Sequence, residues 1–187
     1  MKESLKQTHT SCHRIVFFGP ESTGKTSIAK QLAAHYNTSW VPEFAREYLQ
    51  KKYDDVGIIC EETDLIPIAK GQMELENTMA EKANKLLFCD TNMLQTYYYG
   101  KVYYENYKGE TLKNAALKAS YALYFLTYID VPWEADDLRD KPHQREEMFN
   151  LFKQALEENN LPYVLLKGTA EERLQIAINA IEKNLKH

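Results

Sequence analysis

No stretch of this 187-residue chain approaches the eighteen or so apolar residues needed to span a bilayer, and the polar segment before Arg14 lacks the apolar run of a signal peptide. Both absences lead to the expectation of a cytosolic protein without a membrane partner. A basic excess is missing too. The 23 Lys and Arg stand against 27 Asp and Glu, a net charge of −4, whereas a protein that grips nucleic-acid phosphates carries a basic footprint. A small-molecule partner is expected instead of nucleic acid. Cysteine is sparse: Cys12, Cys60 and Cys89 are odd in number and contain no C-x-x-C pair, which argues against that type of zinc or redox site and for three reduced thiols. There is also no internal repeat, low-complexity tract or Pro/Ser-rich linker. The length suits one compact domain, assigned to residues 14–187 behind a tail of residues 1–13.

What the chain does contain is a globular balance of 44% hydrophobic and 27% charged residues, ordered in alternating periods. The apolar run Ile15 to Phe18 has strand length, and the segment after it carries Ile28, Ala29, Leu32, Ala33 and Tyr36 at helical spacing. A second short strand ends near Val41 at Pro42, before a helix whose apolar face is Phe44, Tyr48 and Leu49. Glu61 to Asn84 reads as one or two helices broken or started near Pro67. Leu86 to Cys89 is apolar throughout, as a strand covered on both faces must be. Tyr121 to Ile129 and Tyr163 to Leu166 supply two more strands, and Leu174, Ile178 and Ile181 mark a last helix. About five strands alternating with helices predict an α/β fold, a three-layer α/β/α sandwich on a mostly parallel sheet. Val131 to His143, with two prolines and clustered charge, reads as an exposed lid loop, placed at about 131–146.

Between the first strand and its helix stands Gly19-Pro20-Glu21-Ser22-Thr23-Gly24-Lys25-Thr26, a full match to G-x-x-x-x-G-K-[ST]. Such a loop turns successive backbone N–H groups and a helix N-terminus onto one anion. Gly19, Glu21, Ser22, Thr23, Gly24, Lys25, Thr26 and Ser27 are therefore assigned to ATP. Lys25 is expected at the β- and γ-phosphates, and the Thr26 hydroxyl at Mg²⁺. Asp90 closes the apolar strand Leu86 to Cys89, where a metal-holding carboxylate is expected; the same position also suits a helix N-cap.

Further absences divide the nucleotide-binding classes. An N-K-x-D guanine signature is missing, since Asn84-Lys85 continues as Leu86-Leu87, and Asp90 is followed by Thr91 rather than by a water-activating glutamate. A kinase needs a group to orient a hydroxyl and a lid that excludes water. Glu43 beyond the second strand is the candidate for the first, with Arg46 one helical turn on, although Glu43 and Arg46 also read as a solvated helix-opening pair. Arg139 and Arg145, with Lys141 between them, are candidates for the lid, and Arg139 has Asp136, Asp137 and Asp140 as alternative partners.

In order, the segments GPESTGKTSIAKQLA, WVPEFAREYL, LLFCDTNMLQT and IDVPWEADDLRDKPHQR resemble the ribosylnicotinamide kinase domain of the NadR family over nearly the whole chain. The resemblance implies a P-loop kinase fold and phosphorylation of nicotinamide riboside to its mononucleotide. It further implies that Glu43 and Arg46 face the riboside and that Asp90 assists Mg²⁺. Arg139 and Arg145 then belong to the lid, with Asp130 and Trp133 beside the substrate. Longer family members carry an H-x-G-H nucleotidyltransferase domain; that signature is missing, and the expectation is a free-standing kinase. A pyridinium riboside asks for aromatic faces, which Trp133 and the tyrosines of Tyr97 to Tyr107 can offer, and Gln72 lies on a helix that either roofs the pocket or shows it to solvent. Another nucleoside, a vitamin-like alcohol, or a nucleotide-binding regulatory module are the competing readings.

Overall fold

The computed structural model describes residues 5–136, 138 and 142–185. Five parallel strands, β1 (His13–Phe18), β2 (Trp40–Val41), β3 (Leu86–Asp90), β4 (Leu123–Thr127) and β5 (Tyr163–Leu166), form one sheet in the order β2-β3-β1-β4-β5. Among the described residues seven α-helices alternate with them: α1 (Lys25–His35), α2 (Phe44–Val56), α3 (Leu65–Ala80), α4 (Met93–Tyr103), α5 (Glu110–Lys118), α6 (Arg145–Glu158) and α7 (Ala170–Asn184). This is the expected three-layer α/β architecture, with every pairing parallel.

Strand alternation explains both layers. Ile15 and Phe17 of β1 point to one face, with Phe88, Phe125, α1 and α7; Val16 and Phe18 point to the other, with Leu87, Tyr124 and helices α3 to α6. Because β1, β3 and β4 are covered on both sides, they are apolar at successive positions and Phe17, Phe18, Phe88 and Phe125 are fully buried. Each such ring stabilises the fold by roughly 1.5–3 kcal/mol over an exposed one. The edge strand β5 is only partly covered, and Leu174 and Ile178 of α7 correspondingly pack at the margin while Ala177 and Ile181 are buried.

Several boundaries differ from the sequence-based expectation. Tyr36 caps α1 instead of extending it. Of the two readings at Pro67, the helix start holds: the proline sits in the first turn of α3, where no intrahelical N–H is needed. Of the expected apolar face of α2, Phe44 lies against Gly71 of α3 and Tyr48 donates its hydroxyl to Asp64 at 3.0 Å, but no residue of α2 is fully buried. This helix stands off the sheet and walls a cleft.

Residues 5–12 are not an independent tail. Leu5 is buried, and Asn77 of α3 ties Lys6, Thr8 and Arg14 together through its side chain.

Candidate active site

The carboxyl ends of β1, β3 and β4 meet at one edge of the sheet, where the strand order reverses and open α/β folds bind ligands. The register sets Asp90 at the end of β3 beside Phe17, two residues before the glycine loop. Gly19 has φ +143°, and a Cβ there would fall 2.5 Å from the Thr127 hydroxyl and 2.9 Å from the Thr127 carbonyl. Only glycine lets the loop leave β1 so close to β4. Gly24, at φ +80°, is the N-cap of α1 and holds the left-handed conformation that glycine adopts without strain.

Inside the loop, Lys25 is buried and its Nζ donates to the Gly19 carbonyl at 3.0 Å and the Pro20 carbonyl at 2.6 Å. The Thr23 hydroxyl donates to the Pro20 carbonyl at 2.8 Å and meets Thr127 Oγ1 at 2.7 Å. Thr26 donates its hydroxyl to Asp90 Oδ2 at 2.5 Å, while Asp90 Oδ1 is buried without a partner. Burial pushes the Asp90 carboxyl up, and Lys25 and the Thr26 hydroxyl oppose that rise. Asp90 is not a helix cap; Asn92 takes that role, its Oδ1 accepting from the N–H groups of Leu94 and Gln95. Between them Thr91 holds φ +68°, a conformation that costs a β-branched residue about 1–3 kcal/mol and that recurs at functional sites.

Two hollows adjoin here. A cleft of about 330 Å³ is lined by the loop from Glu21 to Ser27, by Glu43, Arg46 and Leu49 across from it, and by Val131, Pro132 and Glu134. Beside it a more apolar pocket of about 110 Å³ is lined by Gln72, Thr91, Gln95 and Tyr99 with Tyr103 and Tyr104. Glu21, Glu43, Ala45, Leu49 and Leu138 belong to both walls. Glu43 also borders an outer groove that reaches Thr26 and Asp90.

The remaining candidates fall into place unevenly. Arg46 pairs with Asp136, closing the cleft from the far side. Arg145, the first residue of α6, donates to the carbonyls of Val131 and Ser22, both at 2.9 Å, and its guanidinium lies 5.6 Å from the Trp133 ring. In this conformation Arg145 fastens the segment after β4 onto the loop instead of presenting a free fork to phosphate. Ser22 completes the fastening, accepting from the Glu134 N–H at 2.9 Å. Trp133 shares a small hollow with Tyr99 and Tyr103. Asp130 accepts from the Gly168 N–H at 2.6 Å and pairs with Arg173, and it lines neither the cleft nor the pocket. Gln72 is buried, not solvent-facing. Arg139 lies outside the described residues, as does Lys141. Of the tyrosines, Tyr97, Tyr98 and Tyr107 belong to the core, whereas Tyr99, Tyr103 and Tyr104 reach the pocket.

Sequence reasoning missed two polar residues that shape the loop. Gln95 of α4 accepts from the Gly19 N–H at 3.1 Å. Arg173 of α7, 5% exposed, donates to the carbonyls of Thr23 at 2.7 Å, Tyr128 at 3.0 Å and Gly168 at 3.1 Å. No local pattern marks either one, because their partners are main-chain groups at least 76 residues away for the loop contacts.

A family model described as an AAA domain matches residues 14–173. The Trifunctional NAD biosynthesis/regulator protein NadR of Escherichia coli (strain K12) is 30% identical over 152 residues, 80% of this chain and 37% of that protein. The chain thus spans well under half of that relative's length. A solved structure of NadR protein in complex with NR superposes with a TM-score of 0.80 at 21% identity, covering 95% of this chain and 52% of the other. NadR protein in complex with NAD and AMP-PNP gives a TM-score of 0.75 at 20% identity, over 93% of this chain and 50% of the other. With the glycine loop, parallel sheet and Asp90 in register, the chain belongs to the AAA domain family, and NadR is among its relatives in sequence.

Proposed function

We propose that the chain transfers the γ-phosphoryl group of ATP to the 5′-hydroxyl of nicotinamide riboside, yielding the mononucleotide and ADP in NAD salvage. The observation that carries this reading is the junction of two unlike hollows at shared carboxylates: a phosphate cradle on one side, a tyrosine-walled pocket on the other, with Glu43 and Glu21 in both walls. A hydrolase needs only the cradle; a transferase needs a second binding site opening on the first. The similarity to NadR, named for NAD biosynthesis, and the NadR structure in complex with NR support this acceptor.

Catalysis is positioning plus charge stabilisation. The loop N–H groups and Lys25 bind the phosphates, with the Lys25 ammonium exchanging its two carbonyl partners for phosphate oxygens. The acceptor oxygen bonds to the γ-phosphorus as the bond from that phosphorus to the β-phosphate oxygen breaks, and the hydroxyl proton passes to the Glu43 carboxylate. Arg46 holds the acceptor side, and Arg145 with Trp133 keeps the segment after β4 seated over the loop and water out.

Mg²⁺ fits the donors present: a threonine hydroxyl beside a buried carboxylate with one partnerless oxygen, the hard oxygen set this ion takes together with substrate phosphates. Thr26 and Asp90 would hold it, and when bound it neutralises charge on the β- and γ-oxygens.

An ADP-release assay across ribosides, deoxynucleosides and vitamin-like alcohols tests the acceptor. Release stimulated most by nicotinamide riboside is expected; equal or stronger stimulation by another alcohol would replace it.

A further inference from the structure

The tyrosine-walled pocket holds two polar groups that phosphate chemistry does not use. Gln72 of α3 and Gln95 of α4 both line it, 2% and 1% exposed, on helices that pack together. The amide oxygen of each is already engaged: Gln72 Oε1 accepts from the Phe44 N–H at 2.9 Å, and Gln95 Oε1 from the Gly19 N–H at 3.1 Å. A main-chain N–H can only donate, so these partners fix which end of each carboxamide is oxygen. The other end, Nε2, is buried in both residues and has no acceptor. Buried N–H groups without acceptors are rare in folded proteins, and here two belong to residues that line one hollow.

The surrounding wall narrows the ligand further. Tyr99, Tyr103 and Tyr104 offer aromatic faces, and the charged residues lining the pocket are Glu21 and Glu43, with no Lys or Arg among the described lining residues. A carboxylate entering this wall would lose water, find no counter-ion among the described lining residues and meet two like charges. An uncharged oxygen acceptor on a flat, neutral or cationic ring meets none of these penalties.

We propose that Gln72 and Gln95 form a carbonyl-reading pair, their Nε2 groups donating to an uncharged exocyclic carbonyl oxygen on the ring of the phosphoryl acceptor. This rests on the acceptor-site reading of the pocket and deepens it: the pair selects a carboxamide-bearing riboside over its carbonyl-free analogue and over the corresponding acid. Through Gly19, Gln95 also ties the reading of the ring to the first residue of the phosphate loop.

The test compares kcat/KM for nicotinamide riboside, ribosylpyridinium and nicotinic acid riboside in the full chain, with riboside affinity by calorimetry, ATP affinity and thermal midpoint as controls. In the wild type, loss of the carbonyl is expected to cost about ten- to a hundredfold in kcat/KM and in riboside affinity, and the acid at least as much. In Gln72→Met and Gln95→Met the ratio of nicotinamide riboside to ribosylpyridinium should fall toward one, with ATP affinity little changed in Gln72→Met. If Gln95→Met does not fold, the ratio in Gln72→Met decides alone. A wild type indifferent to the carbonyl, or a Gln72→Met ratio equal to that of the wild type with turnover intact, overturns the pair while leaving the kinase reading standing. Absence of turnover with all three ribosides overturns both.

Discussion

Replacing Arg173 with methionine keeps the aliphatic stem and removes the guanidinium that joins the loop, the end of β4 and the start of α7. The arginine gives up three main-chain carbonyls and the Asp130 carboxylate. Breaking a buried ion pair by deleting one partner costs about 3–5 kcal/mol, because the other charge is stranded. Asp130 retains 30% side-chain exposure and the Gly168 N–H, so water recovers part of that cost and the expected loss lies at the lower end, about 3 kcal/mol. Burial alone would raise the Asp130 carboxyl; the Gly168 N–H and Arg173 outweigh it and hold the group below its ordinary range. The pair's contribution is thus present at neutral pH and disappears as pH falls through that lowered value. Urea unfolding at pH 7, read at unchanged m, measures the loss. Calorimetry should show ATP affinity weakened about tenfold, since the Thr23 carbonyl loses its anchor. Asp130→Asn, which preserves the carbonyl contacts of Arg173, should cost about 1 kcal/mol. A loss under 1 kcal/mol in Arg173→Met with ATP affinity intact would refute the idea that α7 braces the phosphate loop.

Lys25→Ala should lower phosphoryl transfer about a hundredfold or more while the chain stays folded; a near-normal rate would contradict the placement of the γ-phosphate. Glu43→Gln should reduce kcat by about 10²–10⁴ with ATP affinity nearly unchanged, and parallel loss of both would make Glu43 a structural residue. Glu76, fully buried beneath Tyr121, has its carboxyl pushed up to about 7 by burial, with the Tyr121 hydroxyl and Arg14 opposing. Between its ordinary value of 4.5 and about 7 the unfolded chain has released that proton and the folded one has not, so stability falls as pH rises, by about 3 kcal/mol across the window. Glu76→Gln should flatten that fall in urea titrations from pH 4.5 to 8; an unchanged slope would show that other groups set it.

What the sequence made legible follows from how local each signal is. The apolar runs at Ile15 to Phe18 and Leu86 to Cys89 can only be doubly covered strands, and the loop between Gly19 and Thr26 carries its geometry in its own glycines. The face of α2 was legible as apolar but not as cleft wall, because Leu49 gives the same periodic signal against a sheet or beside a ligand cavity. Arg173 was hidden for the opposite reason. It occupies a buried row of α7 where periodicity asks for an apolar residue, and only the fold reveals the carbonyls that pay for its burial. Asp90 was read with two roles open; the structure gives the cap to Asn92 and leaves Asp90 bonded to Thr26.

Acceptor-specific transfer leaves its mark on the product, which mass spectrometry reads. With nicotinamide riboside and ATP carrying ¹⁸O in its γ-phosphoryl group, the expected product is nicotinamide mononucleotide bearing the labelled phosphoryl oxygens, formed in step with ADP. Labelled inorganic phosphate without labelled mononucleotide would contradict it.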